Sequence, residues 1–268
     1  MIMDKPEILL TNDDGIRSPG LWAAAKALSE IGFVHVAAPR EQYSGAGRSM
    51  PNHSDGVIRV EQVQVNGKAW IVHAVGGTPA QAVQHALFEI LPQRPSLIVS
   101  GINYGENVGS GVTVSGTVGA ALEGAAFGIP SLAISLETSV NHHLSYSSDV
   151  DFSIAAHFTA HFARKLLERL LPPDVDVLKV DVPADATPAT PWEITRLSPN
   201  SYFIPVPTQR RSWSEPGKIG YKVTNGLQDE PPGTDIYALR IQRNVAVTPL
   251  SLDMTSRVDL RMLKDSLE

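Results

Sequence analysis

The sequence predicts an α/β fold around a mostly parallel sheet, and three observations carry the prediction. A strand, a helix and a second strand follow one another between Glu7 and Pro39. The same alternation resumes after Thr78 and runs to Val182. With 268 residues, 43% hydrophobic and 19% charged, the chain fills one large core or two unequal ones.

Glu7 to Asn12 is a short apolar run ending in Asp13-Asp14-Gly15, the pattern of a buried strand that delivers a polar turn at its C-terminal end. Ser18-Pro19 supplies an N-cap and a proline at the first helical position, and the helix is expected to continue through Leu21 to Ile31 until Gly32 stops it. Phe33 to Ala38, closed by Pro39, completes a βαβ unit with a right-handed crossover. Val57–Val65 and Ala69–Val75 flank Asn66-Gly67, so an antiparallel ribbon is expected to interrupt the alternation. Thr78-Pro79 then caps a helix to about Leu91, and Leu97–Ser100 reads as a strand. Residues 101–115 read as a glycine-rich loop, Thr117–Phe127 as a helix and Pro130–Leu136 as a strand. A helix over about Val150–Leu171 with a long apolar face and a strand over Val175–Val182 follow.

At that point the chain divides. Residues 1–183 form the expected α/β catalytic core, and residues 184–268 a C-terminal region with a proline-rich oligomerisation arm, a final strand and a helix. Prolines at 188, 191, 199, 205, 207, 216, 231 and 232 would make a long structureless loop, which a compact domain rarely contains. Short strands plus an arm, packed on a partner or on the rim of a site, fit better. Between about Pro199 and Pro232 the prolines forbid a continuous helix or a central strand. Tyr202, Phe203, Ile204, Trp213, Ile219 and Tyr221 are nonetheless too apolar for a solvated linker.

Several functional classes are excluded. The balance of 22 Lys+Arg against 28 Asp+Glu gives a net charge of −6, so there is no global field to collect nucleic acid polymers or anionic membranes. The absence of cysteine removes disulfide frameworks, thiolate nucleophiles and Cys-ligated metals. Gly119 to Leu136 is broken by Glu123, Gly124, Gly128 and Pro130, whereas a bilayer span needs about 20 nearly uninterrupted apolar residues. Met1 to Pro6 carries Asp4 and Lys5, so no signal peptide is expected, and the cytoplasm is the expected compartment. No P-loop or nucleophile-elbow pattern occurs, and Gly45-Ala-Gly47 lacks the third glycine of a dinucleotide fingerprint. His157 and His161 lie four apart on an apolar helix without a zinc-protease glutamate, which reads as packing or surface placement.

Ligands of an open parallel sheet bind beyond the C-terminal ends of its strands. The residues there are Asn12, Asp13 and Asp14 after the first strand, Ser44-Gly45-Ala46-Gly47 after the second, Asn103 after the central one, and Ser115-Gly116-Thr117 at a helix start. Adjacent carboxylates repel unless a cation or donors hold them. Together with amide and hydroxyl oxygens, and without cysteine, they suit a hard divalent ion such as Mg²⁺ or Mn²⁺ better than zinc. Taken alone, Asp-Asp-Gly reads as a turn and Ser115-Gly-Thr117 as an N-cap; the latter also offers the free N–H groups and dipole end that fit a phosphate. What distinguishes them is their common sheet edge.

Ile8-Leu-Leu-Thr-Asn-Asp-Asp-Gly15 with Ser18-Pro-Gly-Leu21 resembles the opening of the SurE family, the survival-protein 5′/3′-nucleotidases. Ala38-Pro39 with Ser44-Gly45, Gly77-Thr-Pro79, Ser100-Gly-Ile-Asn103 with Gly105 and Asn107, Ser115-Gly-Thr-Val-Gly-Ala-Ala121 with Glu123-Gly124, Gly233-Thr-Asp235 and Val247-Thr-Pro-Leu250 continue the likeness in order. Gly47, Gln81-Ala82, Gly111 and Val114 depart from the family pattern.

The resemblance implies a three-layer α/β/α sandwich, Rossmann-like, with a partly exchanged C-terminal region that makes a homodimer or a dimer of dimers. It implies hydrolysis of nucleoside 5′- and 3′-monophosphates with one divalent metal ion per subunit, held by Asp13, Asp14, Ser44 and Asn103. Candidate catalytic residues are Asn12, Asp13 and Asp14, and candidate phosphate or substrate contacts are Asn107, Ser115, Gly116 and Thr117. Water is the expected nucleophile, since the Asp-x-Asp pattern of aspartyl-phosphate phosphatases is missing. An exopolyphosphatase or general phosphatase with the same site, and a nucleotide-binding regulator without turnover, are the alternatives.

Overall fold

The computed structural model describes residues 5–268 except 66, 144, 148 and 170. Asn66 of the expected hairpin turn and the first four residues therefore lie outside the described residues. The elements are β1 (Glu7–Thr11), α1 (Pro19–Leu28), β2 (Phe33–Pro39), β3 (Ile58–Val65), β4 (Lys68–Val75), α2 (Pro79–His85), β5 (Leu97–Tyr104), α3 (Gly116–Ala126), β6 (Ser131–Leu136), α4 (Ser153–Glu168) and β7 (Val177–Val182). The C-terminal region adds β8 (Trp192–Ile194), β9 (Phe203–Val206), β10 (Gly220–Val223), the single turn α5 (Asp235–Tyr237), β11 (Val245–Leu250) and α6 (Leu260–Leu267).

Nine strands form one sheet in the order β3-β4-β2-β1-β5-β6-β7-β11-β8. From β4 to β7 all neighbours are parallel, while β3 and β11 run antiparallel to β4 and β7. The antiparallel β3–β4 ribbon interrupts the strand–helix alternation as expected, and it also extends the sheet, because β4 pairs with β2 through Ala37↔His73 to Pro39↔Val75. Helices α1 and α4 pack together on one face and α2 and α3 on the other, giving the three-layer α/β/α sandwich. β1 shows how the pleat divides the core: Ile8 and Leu10 face the α1/α4 layer and Leu9 the α2 layer, all fully buried. Each such side chain contributes about 1.5–3 kcal/mol of apolar burial.

Three local differences from the sequence expectations have physical causes. α1 stops at Leu28 instead of Ile31, because the Ser29 hydroxyl donates to Lys26 O (2.7 Å) and the Ile31 and Gly32 N–H groups both fold back to Leu28 O. Ser18 stands at the N-cap position but its hydroxyl makes no capping bond, whereas Thr78 and Gln81 form a reciprocal capping box on α2. β5 runs on to Tyr104 through what reads as loop. Its register against β6 shifts between Ser100 and Asn103, and Gly101 sits there at φ 131° with a Cβ position only 2.3 Å from Ile134 O, which no other residue accommodates.

The arm divides into a packed root and an exposed tip. Tyr202 is buried among Val108, Ile236 and Leu239, with Phe203 beside them. Trp213 at the tip is 92% exposed, and α6 also leaves Leu260, Met262 and Leu267 uncovered. His157 is exposed and His161 lies against Trp192. Among the described residues no helix is long and apolar enough to cross a membrane.

Candidate active site

β1 ends in a turn that Asn12 shapes with both ends of its amide: Nδ2 donates to Gly15 O (3.0 Å) and Oδ1 accepts from Gly15 N (3.1 Å). The turn places Asp13 and Asp14 at the sheet edge, 4% and 1% exposed. The two carboxylates are held differently. Thr117 donates its hydroxyl to Asp13 Oδ1 (2.5 Å), and a Cβ on Gly116 would stand 2.8 Å from Asp13 Oδ2, so only glycine lets α3 approach this closely. Asp14 accepts from Gln42 Nε2 on Oδ1 (2.9 Å) and from the Tyr104 N–H on Oδ2 (3.1 Å). Tyr146 donates its hydroxyl to Asp14 O (2.9 Å), and Gln42 also reaches His143 O (2.7 Å).

The remaining predicted residues lie beyond the C-terminal ends of β2 and β5 and at the start of α3. Asn103 donates its amide N–H groups to Tyr104 O (3.2 Å) and Gly105 O (2.6 Å), so its Oδ1 receives no donor among the described residues. Ser44 is exposed on a loop that is tied to the pair through Tyr43 N–H and Asp13 O (2.7 Å). Ser115 caps α3 by accepting the Val118 N–H (3.1 Å). Asn107 anchors through its backbone N–H on Asp181 Oδ1 (2.7 Å) and its Nδ2 on Ser135 Oγ (2.9 Å). Thr117 departs from expectation in one respect: its hydroxyl is committed to Asp13, leaving backbone as what it can offer an anion.

Burial opposes the charge of both aspartates. Asp13 is pushed up by desolvation despite the Thr117 hydroxyl and the first α3 amides, and Asp14 is pushed up to about 8 by desolvation and by the charge of Asp13. Among the described residues neither carboxylate has a salt bridge. Two buried acids without a salt bridge among the described residues, with the Asn103 amide at the end of β5 and the Ser44 hydroxyl on the loop after β2, make a donor set of hard oxygens, the kind that suits a small divalent cation.

Sequence reasoning missed the polar residues that brace this edge. Lys179, Asp181 and Asp235 are fully buried, with Lys179 Nζ bonded to Asp181 Oδ2 and to Asp235 Oδ2 (3.1 Å). Asp235 also accepts the Gly109 N–H (3.0 Å) and the Ser198 N–H (2.9 Å), so the trio clamps the loop that carries Asn107. The alternation Val-Leu-Lys-Val-Asp-Val in β7 is the signal that was there to read: two opposite charges on one face of an otherwise apolar strand. Glu106 is buried beneath Tyr202, yet Glu106 Oε2 and the Tyr202 hydroxyl have no hydrogen-bond partner among the described residues. Burial pushes Glu106 up to about 7.

A crevice of about 370 Å³ opens beside Asp14, lined by Arg17, Arg40, Glu41, Gln42, Arg59 and Tyr146. Another of about 390 Å³ lies at the opposite edge of the sheet, near Ser96, Pro130 and Asp176, and shares no residue with the site.

Residues 8–203 match the family described as Survival protein SurE. The chain is 48% identical to a "5'-nucleotidase SurE" of Thermococcus gammatolerans over 97% of its own length and 95% of that protein. It is 44% identical to the protein of the same name from Thermococcus kodakarensis, over 97% and 98% of the two chains. The crystal structure of a SurE protein from Aquifex aeolicus superposes with a TM-score of 0.72 at 30% identity, over 98% of this chain and 100% of that one. Matched along nearly its whole length in sequence and in architecture, the chain belongs to the SurE family.

Proposed function

We infer that the chain is a phosphomonoesterase dependent on a divalent metal ion, Mg²⁺ or Mn²⁺, that hydrolyses nucleoside 5′- and 3′-monophosphates to nucleoside and phosphate. The observation that carries the reading is the buried Asp13/Asp14 pair, which has no salt bridge among the described residues and receives only neutral donors. The names of the relatives, 5'-nucleotidase SurE, support the substrate class.

Asp13, Asp14, Asn103 and Ser44 would hold one metal ion per subunit. When bound, the ion supplies charge neutralisation at the phosphate and lowers the cost of activating water. The protein's part is orientation. Thr117 fixes Asp13 through Oδ1, Gln42 and the Tyr104 N–H fix Asp14, and Asn103 is held by donating its amide to the carbonyls of Tyr104 and Gly105. The Ser115 hydroxyl, the backbone of Gly116 and Thr117 and the Asn107 side chain border the space where a phosphate would lie. Asn12 acts by shaping the turn. Retention of all four oxygen donors weighs against a regulator without turnover.

The test is phosphate release from a panel of 5′- and 3′-mononucleotides, short polyphosphate and a generic phosphate ester, with Mn²⁺, with Mg²⁺ and with excess EDTA. Mononucleotide turnover that EDTA abolishes and metal restores is expected. Full activity in EDTA, or turnover of polyphosphate alone, would overturn the reading.

Self-association belongs to the same proposal. The exposed tip at Trp213 and Ile219 and the apolar residues of α6 need a surface, and a second copy of the chain supplies one. Light scattering should give at least twice 28.8 kDa, and a monodisperse monomer at micromolar concentration would contradict it.

A further inference from the structure

The crevice beside Asp14 is built from arginine. Arg17 follows Asp14 on the same turn, Arg40 succeeds the last residue of β2, and Arg59 lies on β3, so three separate segments bring guanidinium groups to one concavity of about 370 Å³. Its wall is continuous with the carboxylate site, because Gln42 and Tyr146, which line it, are the residues that bond Asp14.

The salt bridges of the described arginines are those of Arg40, Arg48, Arg240 and Arg243. Arg40 is fixed by Asp55 (2.6 Å), which aims one guanidinium, while Arg17 and Arg59 are exposed and without a carboxylate partner among the described residues. Asp55 faces Arg59 as well as Arg40 and Glu41 lines the same wall, so the three arginines leave a small positive excess in a chain whose net charge is −6. Solubility alone would scatter such side chains over convex surface. A guanidinium offers its N–H groups in a planar fork that matches two oxygens of a phosphate. Glu41 on the same wall works against a diffuse polyanion and favours a ligand whose charge falls on the arginine side.

We propose that Arg17 and Arg59, with Arg40 beside them, form a second phosphate subsite. It takes the non-reacting phosphate of a nucleotide that carries two, such as a nucleoside 3′,5′-bisphosphate, while the other phosphate lies at Asp13 and Asp14. The proposal rests on the hydrolytic reading for its second half only; the arginine crevice binds its phosphate whether or not turnover follows.

Calorimetric titration of the full-length protein with Ca²⁺ in place of Mn²⁺ or Mg²⁺, with adenosine 5′-monophosphate and with adenosine 3′,5′-bisphosphate, tests it. The bisphosphate should bind about tenfold tighter, as expected for charge-assisted contacts at a solvent-open site. The Arg17→Ala/Arg59→Ala double variant should lose that margin and keep its affinity for the monophosphate. Raising the ionic strength should shrink the margin in the wild type. Equal affinities in the wild type, or a margin that survives the double substitution, would overturn the subsite. Hydrolysis of the monophosphate with Mn²⁺, run in parallel, reports on the hydrolytic reading: its failure with the binding margin intact would remove that reading and leave the subsite standing.

Discussion

Two pairs of buried aspartates stand at the same edge of one sheet, and they are solved in opposite ways. Asp181 and Asp235 share Lys179 and accept backbone N–H groups from Asn107, Gly109 and Ser198. Burial works against the lysine charge there, and the two carboxylates outweigh it and hold the ammonium above the ordinary lysine range. Asp13 and Asp14 are equally buried and receive only neutral donors. A buried carboxylate pair that brings its own cation is a finished structural device; one that lacks it is what the proposed metal site requires.

The contrast can be broken from either side. Lys179→Met strips the completed pair of its cation and should cost about 3–5 kcal/mol of stability, because two buried charges are left uncompensated. Denaturant unfolding measures it, and a loss below about 1 kcal/mol would mean the lysine does not hold the pair. Asp13→Asn and Asp14→Asn should each lower kcat/KM with Mn²⁺ by about a thousandfold, roughly 4 kcal/mol of transition-state stabilisation. The same variants should melt above the wild type in EDTA and below it in Mn²⁺, since the substitution removes both a repulsion and a ligand. Melting curves that keep one order in both buffers would contradict the assignment.

Glu106 sharpens the comparison as a third buried acidic site, without a salt bridge among the described residues and without full hydrogen bonding. Burial raises it to about 7, with Glu137 adding to the rise and Arg240 opposing it. Because its folded value lies above the ordinary one, its contribution is complete below pH 4.5 and is lost as pH rises toward 7. The loss is about 2 kcal/mol by pH 6 and about 3 at pH 8. Glu106→Gln should therefore match the wild type at pH 4 and be more stable at pH 8. Parallel stability profiles for the two proteins would show that Glu106 does not titrate in this range.

Much of this edge was legible in the sequence because strand ends announce themselves locally. Asn12 to Gly15 follow an apolar run, Ser115 precedes a helix, and topology does the rest by aligning the ends of parallel strands. What was not legible depends on pairs far apart in the chain. The Thr117 hydroxyl that fixes Asp13 is 104 residues away, and Lys179 meets Asp235 across 56. Periodicity reads one element at a time, so it registers that Lys179 and Asp181 share a face but not what waits opposite them. The continuation of β5 to Tyr104 was hidden for another reason: Gly101 looks like loop composition, and only the close approach of Ile134 O shows why the strand needs it.

The two ends of the nine-stranded sheet bear on how the protein behaves when concentrated. The outermost strands are β3, eight residues long, and β8, only three. A free edge is a template for another chain, and natural sheets blunt it with charge or brevity. β3 presents Arg59 and Glu61 among its glutamines, and β8 offers too few N–H and C=O groups to seed a ladder. Native molecules crowded together are thus poorly suited to fuse sheet to sheet. Turbidity on heating is expected to follow the unfolded fraction, and its onset to move with the melting temperature of each variant rather than with the concentration of folded protein.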